Sequence, residues 1–486
     1  MIYLRLKENN MFRLHIFLVF VFAAGIMFTA CDSNDSNSVD ITDIHSLEGD
    51  PDVRVEGRGL LLNGQPFTVK GVNYSPIPIG TTFDDGDKIG DVFFDYFNPI
   101  HEVDFQLMKE MGVNTIRIYG MFPWHPQNGP TEPRDHTNFL DMAFEAGICV
   151  FITYPIGDEA FSYKVVEEEP TDGSFFVILP TAPGGGNQIW VPDEDTKKPG
   201  FLWLGEQTAA ERRESDREAY LALAEKYKDH PAVFGWVLTN EKNSPQSRVN
   251  PAFWSYLNDL AGELKTIAPE KETMIALIDD GMITLQEVAQ NDFQVSNIDI
   301  WGINSYRGNV VPGQNNFDNL FTSFNAVSDK PFIITEFGPP SSTRVEIVSS
   351  LGVPVPPGDA SFNTIVNNNY CPGGTFEELT PTQQEFVADY IEGHWEDIEN
   401  NSDVAAGGIV FAWVDEWWKS GDKNVQNQSA GINTNFPGGC WDEEVFGINA
   451  IVLKRATPAT FTAVFIPDER VPRAQFDRLK ELWTGN

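Results

Sequence analysis

Apolar positions along the chain follow two alternating rhythms. Near-continuous apolar runs recur in VKGVNY (69–74), NTIRIYG (114–120), GICVFITYP (147–155), AVFGWVLTNE (232–241), TMIALIDD (273–280), IDIWGINSY (298–306), KPFIITEFG (330–338) and GGIVFAWVDE (407–416). Each has the length and content of a strand buried on both faces. Between most of them the spacing changes to a helical one, as in NPIHEVDFQLMKEMG, HTNFLDMAFEAG, RRESDREAYLALAEKYKDH and TPTQQEFVADYIEGHWEDI, and PRAQFDRLKELW closes the chain. Eight strands, each followed by a helix, predict a parallel sheet that closes into a single (β/α)8 TIM barrel. An open doubly wound sheet is the main competitor, but no Gly-rich phosphate loop follows the first strand. Ahead of the barrel, the runs flanking Asn63-Gly64 predict a β-hairpin.

The chain of 486 residues is 41% hydrophobic, ample for a large core. Its formal net charge of −38 repels nucleic acid and anionic lipid headgroups, so neither is expected as a partner. The first thirty residues stand apart. Arg5, Lys7 and Arg13 precede an apolar run, Ile16 to Ala30, that is short for a membrane span. It ends in Phe28-Thr29-Ala30-Cys31, which resembles a bacterial lipoprotein signal. That resemblance implies cleavage before Cys31 and lipidation of its thiol, with a membrane contacted through the lipid alone and the protein held at the cell envelope, facing the periplasm or exterior. An ordinary secretory signal is the alternative. The polar stretch DSNDSNSVDITD would then be a tether, giving a signal at 1–30, a tether at 31–52 and a catalytic domain at 53–486. An exported chain allows Cys371 and Cys440, both in Gly/Pro/Asn-rich loops, to pair or to stay free, while Cys149 lies within a strand and reads as a small core residue.

Polar residues that end barrel strands are the place to look for chemistry, because strand C-termini line the active face of such barrels. Arg117 does so on the second strand, Asn240-Glu241 on the fourth, Asn304 and Tyr306 on the sixth, Glu336 on the seventh and Trp413 on the eighth. Two of these strands supply a carboxylate. A facing pair of carboxyls, one protonated and one ionised, is what cleavage of a glycosidic bond requires. Arg117 and Tyr306 near Glu336 would favour its ionised form, and burial would keep a proton on Glu241. The seven histidines have no metal-ligand spacing, and no GxSxG elbow is present, so neither a metal, a cofactor nor acyl transfer is expected.

WVLTNE, INSY, ITEFG and the Trp-bearing eighth run together resemble the clan A glycoside hydrolases, from about Val53 to the C-terminus. That resemblance implies Glu241 as acid/base, Asn240 as a partner of the sugar 2-hydroxyl and Glu336 as nucleophile. It also implies that Arg117 and Tyr306 orient Glu336 and that Trp413 floors the sugar subsite, with retention and carboxyls roughly 5–5.5 Å apart. FTVKGVNYSP and GGIVFAWVDEWWK are similar to the barrels of family 2 glycosidases, and Tyr74 is placed with the substrate-binding residues. KGVNY, MKEMGVNTIRIYG and GINSYRG resemble fungal β-1,3-glucanosyltransferases. The expectation is a monomeric enzyme acting on β-linked poly- or oligosaccharides. A β-glucan transglycosylase and a non-catalytic glycan-binding barrel are the alternatives.

Long loops are expected after strands three (157–201), seven (339–380) and eight (419–472), on the catalytic face. They or their strands carry Trp190, Trp203, Trp417, Trp418 and Trp441, whose indole faces suit pyranose rings, although a loop Trp more often packs its loop down. Trp417-Trp418 is the strongest of these. Asp415-Glu416 could also reach a substrate, whereas Asp279-Asp280 reads as a solvated loop or helix cap.

Overall fold

The computed structural model describes residues 51–486 apart from 83–90, 126–127, 157, 181–186, 200–204, 244–246, 308–316, 318, 343–372, 421, 429–436, 438–439, 441, 455–465 and 486. Eight parallel strands form a closed barrel. They are β1 (Val69–Tyr74), β2 (Thr115–Tyr119), β3 (Cys149–Thr153), β4 (Val233–Asn240), β5 (Glu272–Ile278), β6 (Ile300–Asn304), β7 (Phe332–Phe337) and β8 (Ala405–Val410). Each predicted apolar run supplies one, and the pairing of β8 with β1 closes the ring.

Helices alternate with the strands: α1 (Asn98–Met111), α2 (Thr137–Glu145), α3 (Ala209–Tyr227), α4 (Pro251–Ile267), α5 (Met282–Asn291), α6 (Leu320–Asn325), α7 (Pro381–Asn400) and α8 (Ala474–Thr484). Their boundaries follow local chemistry. Thr208 and Glu211 form a capping box at the start of α3, and Asn250 caps α4 ahead of Pro251. At the other end of α1, Gly112 takes the left-handed conformation (φ 87°) that stops the helix.

The period of two along each strand sorts side chains into two cores. Val72, Ile116, Ile118, Val150, Ile152, Trp236 and Leu238 face outward and fill the layer between barrel and helices. Val69, Phe151, Phe234, Met274, Ile300, Ile333 and Ile409 face inward. Val53, Leu60 and Phe67 join that inner cluster from the N-terminal sheet, so this sheet plugs the end of the barrel where the strands begin. It contains the expected hairpin across Asn63-Gly64 (φ 53° and 76°, both left-handed) and a third strand, Val53–Glu56. With that end sealed, the open face is the one where the strands finish.

The third-strand connection carries a three-stranded sheet (163–166, 177–180 and 187–192) that includes Trp190, and the eighth carries a hairpin of Asn449–Val452 with Glu469–Pro472. Cys149 is a free, buried thiol within β3. Cys440 is buried and disulfide-bonded, while Cys371, Cys31, Trp203 and Trp441 lie outside the described residues.

Candidate active site

Both carboxylates sit where the barrel register slips. The β4–β5 pairing shifts between Val237 and Asn240, and the β6–β7 pairing shifts at Ile303 and Asn304, which lies opposite Glu336. Irregularities of this kind re-aim side chains at barrel rims. In β7 they let the adjacent residues Thr335 and Glu336 both reach the site. Glu241 follows with φ 55°, a left-handed conformation that a non-glycine residue adopts at a cost of about 1–2 kcal/mol. Its amide is tied to the Ala276 carbonyl at 3.0 Å, which holds the turn in place.

Glu336, 6% exposed, is surrounded by donors. Arg117 approaches Oε1 at 3.2 Å, the Tyr119 hydroxyl lies 2.5 Å from the same oxygen, and the Tyr306 hydroxyl donates to Oε2 at 2.8 Å. Burial first, with the charge of Glu336 adding for Tyr306, keeps both phenols protonated far into the alkaline range, so both act as donors. Tyr119 also lies 2.7 Å from Asn73 Oδ1, and its single proton serves one acceptor at a time. Asn73 is fixed in turn by donating to the Thr335 carbonyl at 3.0 Å.

Glu241 has a different environment. It accepts a bond from Asn304 Nδ2 at 2.9 Å. Burial, and then the negative charge of Glu336, push its carboxyl up to about 7, against the opposing pull of Asn304, Arg117 and Lys419. The two carboxyls are thus differentiated, one filled with donors and the other proton-retaining near neutrality.

Arg117 and Asn304 tie the pair together. Fully buried Arg117 reaches Asn240 Oδ1 (2.8 Å), Thr153 Oγ1 (3.2 Å) and Asn304 Oδ1 (3.4 Å) besides Glu336. Asn304 Oδ1 accepts from Thr335 Oγ1 at 2.7 Å, which orients its amide toward Asn240 and Glu241. Arg117, from the middle of β2, therefore converges with Asn240, Glu241, Asn304, Tyr306 and Glu336, which lie at or next to the ends of their strands.

Tyr74 and Trp413, both expected at the site, do not join them. Tyr74 is fully buried on the outer face of β1, because its neighbour Asn73 takes the inward position; its hydroxyl meets His101 at 2.8 Å and Asp104 at 3.0 Å on α1. Trp413 lies past the end of β8, so strand alternation no longer places it. It is fully buried in the helix-side core against Phe476. Just past the end of β8, Phe411 lies beside the site, where it meets Tyr306 edge-on at 6.3 Å and also contacts Phe446.

Tyr119, Asn73, Thr335 and Phe411 were not singled out from the sequence. Alternation would have found Tyr119 two residues after Arg117. Trp417 and Trp418 are half-buried against the helix-side core. Asp415 is locked to Arg473 by two contacts of 2.7 Å, and Asp279 accepts from Ser305 and Arg307, so both act in structure rather than as open ligands. Glu416 is buried beside Lys419, 2.9 Å away, whose ammonium stands 4.5 Å over the Phe411 ring.

No family model matches the chain. In sequence it is similar, at 25% identity over 209 residues, to a putative mannan endo-1,4-beta-mannosidase 9 of Oryza sativa subsp. japonica. That match covers 37% of this chain and 49% of the relative, so the chain spans about half the length of the curated relative it matches. Among solved structures, a GH2 beta-galacturonidase from Eisenbergiella tayi is 12% identical with a TM-score of 0.47, covering 90% of this chain and 55% of that one. A beta-D-glucuronidase of Dictyoglomus thermophilum is 17% identical with a TM-score of 0.48, covering 90% and 54%. Saccharomyces cerevisiae Gas2p, in complex with laminaritetraose and laminaripentaose, is 14% identical with a TM-score of 0.47, covering 90% and 68%.

Proposed function

We propose that the chain is a retaining glycoside hydrolase acting on β-linked poly- or oligosaccharides, with Glu336 as nucleophile and Glu241 as acid/base. One observation carries this reading: two carboxyls at the ends of β4 and β7, held by a shared Arg117–Asn304 framework, have opposite surroundings. The mannosidase likeness supports the same class of chemistry.

In the first step Glu241 gives its proton to the glycosidic oxygen while Glu336 attacks the anomeric carbon, leaving a glycosyl ester. Part of what raises the Glu241 pKa is the charge of Glu336. Esterification removes that charge, so Glu241 ionises more readily and can take a proton from water in the second step. Arg117, Tyr119 and Tyr306 hold Glu336 in line and receive its charge when the ester breaks. The Asn240 amide nitrogen has no hydrogen-bond partner among the described residues, which leaves a donor for a sugar hydroxyl. The lipoprotein-like leader, which lies outside the described residues, supports placement at the cell envelope with the membrane touched only through Cys31.

The test is product analysis on labelled β-1,3- and β-1,4-glucan, mannan and galactan oligosaccharides, with the anomeric configuration followed by NMR. Shorter products with retained configuration are expected. Products longer than the input would make the enzyme a transglycosylase, and inverted configuration would remove Glu336 as nucleophile.

A further inference from the structure

The loop leaving β8 carries a charged pair that the two-carboxyl chemistry does not use. Glu416 is 4% exposed. Apart from the Lys419 ammonium, 2.9 Å from its Oε2, no described group satisfies that oxygen. Buried carboxylates are ordinarily filled by several donors, so this one has acceptor capacity to spare. Lys419 is also only partly engaged: it lies 2.9 Å from Glu416 and 3.9 Å from Glu443, over the faces of Phe411 (4.5 Å) and Trp418 (5.7 Å).

The pair borders the proposed catalytic pocket. Phe411, beneath the ammonium, meets the ring of Tyr306, whose hydroxyl donates to Glu336. Electrostatic coupling runs the same way, from Glu416 to Glu336 and Tyr119 and from Lys419 to both Glu241 and Glu336.

We infer that Glu416 and Lys419 form a recognition pair for hydroxyl groups of the sugar seated against Glu336, and that the pair selects a neutral sugar over a uronic acid. This rests on the glycosidase reading and deepens it. Hydroxyls both donate and accept, so neighbouring ones can satisfy the spare lone pairs of Glu416 and the remaining N–H groups of Lys419 together. A sugar carboxylate at that place would meet Glu416 at contact distance, while the Lys419 ammonium is already paired with it. Arg117, the other buried cation here, is committed to Asn240 and Glu336. A pair that merely stapled the loop would require no open acceptor.

The experiment compares the enzyme with Glu416→Gln on 4-nitrophenyl β-glycosides of glucose, mannose, galactose and xylose, their disaccharide counterparts, and the β-glucuronide and β-galacturonide. The wild type should favour at least one neutral member over every uronide by roughly a hundredfold in kcat/KM. Glu416→Gln should lower kcat/KM on that member by about 10- to 100-fold, the worth of a charged hydrogen bond, and should narrow the neutral-to-uronide ratio. A lowered melting temperature with an unchanged ratio would overturn the pair, as would a wild-type preference for a uronide. Wild-type turnover of 4-deoxy and 6-deoxy forms of the accepted sugar decides the matter even if the variant fails to fold, because equal kcat/KM across the series overturns the pair. Incubation with activated 2-deoxy-2-fluoro glycosides separates the two readings. Labelled Glu336 without any deoxy effect sinks the pair alone, whereas neither turnover nor labelling sinks the glycosidase and the pair with it.

Discussion

Replacing Glu241 by glutamine should leave stability nearly unchanged at pH 4 and raise it at pH 8. Below its unfolded pKa of 4.5 the wild-type carboxyl is protonated in both folded and unfolded chains. As pH rises, the unfolded chain loses that proton near 4.5 but the folded one keeps it to about 7. Across this window the native state binds one more proton than the unfolded, so wild-type stability falls with pH at about 1.4 kcal/mol per unit, roughly 3 kcal/mol in all. Glutamine does not titrate, and its carbonyl can still accept from Asn304. With an unfolding entropy near 2.1 cal/mol/K per residue, a chain of 486 residues should show a melting-temperature gain of about 3 °C at pH 8. Thermal melts of both proteins at half-unit pH steps measure this directly. A gain of equal size at pH 4 and pH 8 would mean that Glu241 titrates as an ordinary carboxyl, and the acid assigned to the mechanism would be lost.

Other outcomes follow from the same geometry. Tyr306→Phe removes the donor to Glu336 Oε2 and should reduce kcat/KM by about 10- to 100-fold with little change in melting temperature; an unchanged rate would detach Tyr306 from the chemistry. Activity should fall on the alkaline side with an apparent pKa near 7, from Glu241, so a pH–rate profile flat through pH 9 would contradict its role. Phe67→Ala, in the plug of the barrel, should cost about 3–5 kcal/mol in urea unfolding, while a loss under 1 kcal/mol would show the N-terminal sheet to be dispensable. Arg473→Met leaves Asp415 buried without its partner and should destabilise by about 3–5 kcal/mol, read in the same assay.

Strand positions were legible because a strand buried on both faces leaves an unbroken apolar run, and the eight runs became eight barrel strands. The positions of Asn240, Glu241, Asn304, Tyr306 and Glu336 were legible for a related reason, since polar residues that close such runs have few other uses, whereas Arg117 stands out as a lone charge in the middle of its run. Tyr74 went astray where composition was read without alternation, and Trp413 because it lies where alternation has ended. Asn73 occupies the inward position beside Tyr74, and Trp413 lies beyond the last paired residue of β8, Val410. The slipped registers that bring Thr335 and Glu336 to the same site leave no signal in residue type. Nor does the approach of Lys419 to Phe411, which depends on how the loop after β8 folds back over the barrel.

The central claim is that Glu336 forms a covalent bond to the sugar. Incubating the enzyme with activated 2-deoxy-2-fluoro β-glycosides slows breakdown of the glycosyl ester, and peptide mapping by mass spectrometry then locates it. One added sugar is expected on the peptide containing Phe332–Phe337, at Glu336, and none in the Glu336→Gln variant. An adduct on Glu241 or Glu416, or turnover of natural substrate by Glu336→Gln at the wild-type rate, would contradict it.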